Sequence, residues 1–76
     1  MPRFYFDTTL ANVTEPDREG VQLGDARAAR QEALYAATEM ARDAARHSDE
    51  QDITIQVRDE AGERVGTARL TLRIDV

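Results

Sequence analysis

The chain has 76 residues, a formal net charge of −5, no cysteine, and charged side chains at 33% of its positions. The acidic balance argues against a general nucleic-acid binder, which needs a basic excess to displace counterions from phosphate. The lack of cysteine rules out a disulfide framework and a thiolate metal site. No apolar run approaches the ~20 residues of a membrane span. The amino terminus lacks the charged head and long apolar segment of a signal peptide. The composition therefore predicts a single cytoplasmic domain over residues 1–76, with aliphatic periodicity too regular for a disordered chain.

The first predicted strand runs from Arg3 to Leu10. Alternation turns Phe4 and Phe6 to one face and Arg3, Tyr5 and Asp7 to the other. Ala11 to Glu19 then reads as an acidic loop. Glu15, Asp17 and Glu19 followed by Gly20 superficially resemble the start of a calcium-binding loop. Its twelfth position, which should supply a bidentate glutamate, is Ala26, and Pro16 sits inside the run. A solvated acidic hairpin loop accounts better for the pattern. Gly20 to Leu23 reads as a short second strand.

The stretch from Gly24 to His47 is the organising element. Asp25 is placed to cap the free amides of a first helical turn. Ala26, Ala29, Ala33, Ala37, Met40 and Ala44 then recur at helical spacing, with Leu34, Ala36 and Ala41 widening the stripe. Ala, Arg, Glu, Leu and Met all favour helix, and no Pro or Gly interrupts the run. Such a stripe is smooth and thin, so the sheet must supply most of the core volume. His47, the only histidine, closes this stretch with no Ser or Cys constellation around it, which predicts a structural or solvated role.

A polar loop from His47 to Asp52 precedes the third strand, Ile53 to Arg58, with Ile53, Ile55 and Val57 turned inward. The fourth, Arg64 to Val76, alternates Ala68, Leu70, Leu72, Ile74 and Val76 with Thr67, Arg69, Thr71, Arg73 and Asp75. This alternation predicts a sheet with one buried and one open face. A three-residue loop, Glu60-Ala61-Gly62, sets Val57 against Val65 but leaves Ile55 against Thr67. One extra residue near Gly66 restores Ile55 opposite Ala68 and Ile53 opposite Leu70, so the pattern predicts a β-bulge there. A two-residue turn at Ala61-Gly62 is disfavoured, because Ala at its first position would need positive φ.

The assembled fold is α+β, a two-layer β-β-α-β-β arrangement with the helix on one face of a four-stranded sheet. The predicted strand order is 2-1-4-3, with the first and fourth strands central because they carry the most apolar residues. The open face then presents Arg3, Tyr5, Thr54, Gln56, Arg58, Thr67, Arg69, Thr71 and Arg73. A small domain gains stability by covering such a face. This points to a non-catalytic protein-interaction or self-associating domain, with Arg3, Tyr5, Gln56, Arg58, Arg69, Thr71 and Arg73 as the candidate contact residues. The expected partner is a protein or a second copy, not nucleic acid and not a membrane. RNA or polyanion binding is the alternative, weakened because only Tyr5 is available for stacking. No phosphate loop, nucleophile–base pair or dinucleotide fingerprint is present, so neither catalysis nor a cofactor is predicted.

Two resemblances accompany this reading. The opening Met1-Pro2-Arg3-Phe4-Tyr5-Phe6, the segment Glu19-Gly20-Val21-Gln22-Leu23 followed by Asp25, and the run Val57 to Gly62 resemble a family of short bacterial domains of unknown function. That resemblance implies no activity. Strand, acidic loop, strand and Asp-capped helix are also similar to antitoxin domains with a partial RNase H-like fold, which implies neutralisation of a small protein toxin as a further alternative.

Overall fold

The structure, a computed structural model, describes residues 1–76. Its elements are β1 (Arg3–Leu10), β2 (Val13–Glu15), β3 (Val21–Gln22), α1 (Ala26–Ala44), β4 (Glu50–Arg58) and β5 (Arg64–Arg73). The class is α+β: one helix lies on an antiparallel, five-stranded sheet ordered β2-β1-β4-β5, with β3 also paired to β1. No helix is long and apolar enough to cross a membrane.

The helix forms where its spacing requires. The Asp25 carboxylate accepts a bond from the Ala28 amide at 2.8 Å, satisfying one of the amides that a first turn leaves free. Ala29, Ala33, Ala37 and Ala41 are buried, and they meet Phe4, Ile53, Ile55 and Val57 in a single core cluster. Small residues on the helix face large ones on the sheet, so the axis sits close to the strands. Leu34, expected to widen the buried stripe, is instead 50% exposed. Helix α1 lies mainly over β4 and β5 and barely touches β1. Phe6 and Leu10 are therefore only half-buried.

The strand order differs from the expected one. β4, not β5, is central, flanked by β1 and β5, while β5 forms an edge. Counting apolar residues along the last strand overstated its claim to the centre. Ile74 and Val76 lie beyond β5 and are exposed, whereas Ile53, Ile55 and Val57 are each at most 1% exposed. A strand whose inward residues are all β-branched, covered on both edges, makes the better central strand. The fifth strand arises because Val13–Glu15, expected to be loop, pairs back on β1. The turn between them holds Ala11 and Asn12 at φ 52° and 64°. Two residues at positive φ suit the twist of a tight hairpin. The steric argument used against Ala61 is thus overridden at Ala11, where Asn12 follows.

The β4–β5 hairpin has the expected bulge and the expected pairing beyond it, but Val57 lies opposite Gly66 and not Val65. Ile53 lies opposite Leu70, Ile55 opposite Ala68 and Val57 opposite Gly66, while Arg58 lies opposite Arg64, leaving Val65 as the extra residue of a bulge. Val65 is half-buried against the core. Gly62 adopts φ +87°, a conformation that side chains resist. The Asp59 carboxylate ties the loop by accepting from the amides of Ala61 and Glu63, each at 2.9 Å.

Candidate functional site

Alternation in β1, β4 and β5 sends the same residues to the face away from the helix that the sequence pattern assigns there. The register aligns them in rows: Tyr5, Arg58 and Arg64; Asp7, Gln56 and Thr67; Thr9, Thr54 and Arg69. Thr71 lies opposite Asp52 and Arg73 opposite Glu50. Arg3 projects from the start of β1, beside β3.

This face has two unlike halves. Over β1 it is closed by the chain's own loop. The Arg58 Nε donates to Asp7 Oδ2 at 2.8 Å, and one terminal nitrogen donates to the Asp17 carbonyl at 2.8 Å. The guanidinium carbon of Arg58 lies 4.7 Å from the centroid of the Tyr5 ring. That placement suits attraction between a cation and the ring face. Arg3 donates from Nη1 to the Glu19 carbonyl at 2.8 Å, pinning the end of the loop.

Asp17, expected to be one of three solvated acids, is the centre of this arrangement. Between β2 and β3 the outer edge of β1 has no strand partner. The Asp17 carboxylate fills that gap by accepting the Phe6 amide at 3.1 Å. Its other oxygen accepts the amides of Glu19 and Gly20, each at 3.1 Å. In return the Asp17 amide donates to Asp7 Oδ1 at 2.8 Å. A short carboxylate that bonds amides two and three residues ahead is a common loop device. Here it also replaces a rung of the sheet. Gly20, at φ +71°, lets the loop lie flat, since a Cβ there would come within 2.9 Å of Arg3, Phe4 and Tyr5 atoms.

The electrostatics follow from these contacts. The Arg58 hydrogen bond lowers the Asp7 pKa below its ordinary value; partial burial opposes this, and the Asp17 amide and the Arg58 charge add to it. For Asp17, burial pushes upward, but the amides of Gly20, Phe6 and Glu19 outweigh it and hold the pKa below the ordinary value. Arg58 is held more firmly protonated, chiefly by its bond to Asp7. Both carboxylates are therefore anions at neutral pH and serve as acceptors within the fold.

The β4–β5 half is uncovered. Thr71 Oγ1 donates to Asp52 at 2.8 Å, and Arg73 is 3.7 Å from Glu50 in an exposed pair. Arg64 and Arg69 make no ion pair within the chain, and they rise beside Thr67, Thr54 and Gln56. Arg64 was absent from the predicted contact residues, although its alternation with inward Val65 signals its place. His47 is exposed in the turn between α1 and β4.

Comparison with protein-family models matches residues 3–71 to a domain of unknown function, DUF6894. No curated protein matches the chain, and no solved structure matches it.

Proposed function

Because the chain belongs to the DUF6894 family, which is described only as a domain of unknown function, we propose a function from its geometry. The domain is a non-catalytic protein-interaction module whose contact surface is the β4–β5 half of the open sheet face. The observation that carries this reading is the division of the face. Arg3 and Arg58 are engaged by the chain's own loop, whereas Arg64 and Arg69 are free among hydroxyl and amide side chains. Unpaired guanidinium groups on a flat polar surface fit carboxylates on a partner protein, because each presents a planar fork of donors.

Two features favour a protein partner over single-stranded nucleic acid. The one aromatic on this face, Tyr5, already has Arg58 over its ring, which removes that side as a stacking platform. The domain is also acidic overall, which repels a polyanion. A non-catalytic role agrees with the state of Asp7 and Asp17, both held as anions and saturated with donors. A general acid or base needs a pKa near the working pH and a free route to substrate.

Affinity capture from the native cell tests this reading. Arg69→Glu is expected to abolish retention of the partner, while Arg42→Glu, the same charge change on the exposed helix surface, preserves it. Equal retention by both variants, or equal loss, would contradict an open-face interface.

A further inference from the structure

Strand β5 is an edge strand ten residues long, and its outer backbone is unpaired. The parity of the ladder says which groups face outward. Ile74 donates its amide to the Asp49 carbonyl at 3.0 Å, extending the β4–β5 ladder. In an antiparallel pair, hydrogen-bonded positions alternate with non-bonded ones. Gly66, Ala68, Leu70, Leu72 and Ile74 therefore direct their backbone groups toward β4. Thr67, Arg69, Thr71 and Arg73 direct theirs away from it. The free run begins at Thr67 because the Val65 carbonyl is already taken by Arg30 Nη1 at 3.2 Å.

We propose that this edge pairs antiparallel with the same edge of a second copy of the chain, with the two-fold axis at Leu70. The run Thr67, Arg69, Thr71, Arg73 is symmetric about Leu70, so only this register satisfies every outward amide and carbonyl. It sets Arg69 opposite Thr71 of the second copy and Thr67 opposite Arg73. Shifting the axis to Arg69 sets two Arg69 side chains against each other, and shifting it to Thr71 sets Arg69 against Arg73. Like charges directly opposite destabilise a cross-strand pair. The inward side agrees with the same register: Leu70 meets Leu70, and Ala68 meets Leu72, large against small.

Strand pairing alone buries too little for a stable dimer, which needs roughly 1,000 Å² or more. The edge has apolar surface on both flanks to supply the rest. Leu34 is 50% exposed and lines a groove of about 150 Å³ with Arg30, Thr67 and Ala68, directly beside the free edge. Ile74 is 64% exposed. The register brings it opposite Gly66 of the second copy, where the aliphatic stem of Arg30 covers the glycine. An edge left open in this way invites pairing with another chain. Self-pairing in one register closes it. The outward backbone groups of the edge carry the inference; Arg69 and Thr71, which help set the register, also lie on the open face.

Light scattering is expected to give a mass near twice 8.5 kDa. Thr71→Pro removes an outward backbone donor without removing a backbone bond to β4, and loses the hydroxyl bond to Asp52 just as Thr71→Val does; it should return the protein to a monomer with its circular dichroism unchanged. Thr71→Val keeps that donor and should remain dimeric. The chain contains no cysteine, so Leu70→Cys gives a clean test of register. Opposed non-bonded positions lie about 4.5 Å apart, within disulfide reach. Leu70→Cys should cross-link on oxidation, and Leu72→Cys should not. A monomeric wild type, loss of the dimer in Thr71→Val, or equal cross-linking at both cysteines would overturn the proposal.

Discussion

Replacing Ile55 with Ala is expected to lower stability by about 3 kcal/mol, within the usual range for a fully buried aliphatic truncation. Ile55 is completely inaccessible. It lies opposite Thr8 of β1 on one side and Ala68 of β5 on the other. The helix above contributes only alanines to the buried cluster. None of these neighbours is large enough to collapse into the space, so most of the cavity persists. A domain of this size has a total stability of about 4–11 kcal/mol, so one substitution removes a large share of it. Ile55→Val should cost only about 1 kcal/mol. Leu34→Ala, half-exposed in the single chain, should shift the stability of the monomer by about 0.5 kcal/mol or less. Urea denaturation measures all three. Similar losses for Ile55→Ala and Leu34→Ala would mean that the helix is not seated on β4 as described.

The second large effect falls on the loop. Asp17→Ala deprives the amides of Phe6, Glu19 and Gly20 of their acceptor, for an expected loss of about 2–3 kcal/mol. The cost concentrates at Phe6, whose amide faces a gap in the sheet edge. Asp17→Asn keeps one acceptor oxygen but lacks the charge, so it should fall between the two. The same contacts set an acid dependence. The Asp7 and Asp17 pKa values are both depressed from an ordinary 3.8. Their stabilisation is therefore complete above that ordinary value and is lost as pH falls below it through the depressed folded values. Denaturation midpoints measured between neutral and strongly acid pH should fall along that course for the wild type. The gap between wild type and Asp17→Asn should narrow over the same interval. A gap that stays constant into strong acid would show that the Asp17 charge contributes nothing.

Most of the frame was legible in the sequence because it rests on periodicity. The alanine stripe, the Asp25 cap and the inward set of β4 follow from spacing, and the bulge at Val65 follows from spacing together with the turn sterics of Ala61. The bulge in particular came from requiring Ile53, Ile55 and Val57 to share a face with Leu70 and Ala68. Strand order did not follow, because alternation fixes which face a residue takes but not which strand it neighbours. Ile74 and Val76 continue the alternation of β5 after the core has ended, and this placed β5 wrongly at the centre. Asp17 was missed for a different reason. Its role depends on an unpaired amide at Phe6, eleven residues earlier in the chain. No local pattern marks a carboxylate that substitutes for a missing strand. The division of the open face follows from that loop, so it too lay beyond reach of the sequence.

That division is the central claim, and it can be read at a single proton. Arg58 and Arg69 share one face of the sheet, but only Arg58 has its Nε–H bound to a carboxylate. Side-chain Nε–H exchange, measured by nuclear magnetic resonance with all ten arginines resolved, compares the two directly. The Arg58 proton should exchange markedly more slowly than that of Arg69, and Asp7→Asn should abolish the difference. Equal exchange at Arg58 and Arg69 in the wild type would contradict the closed and open halves on which the functional reading stands.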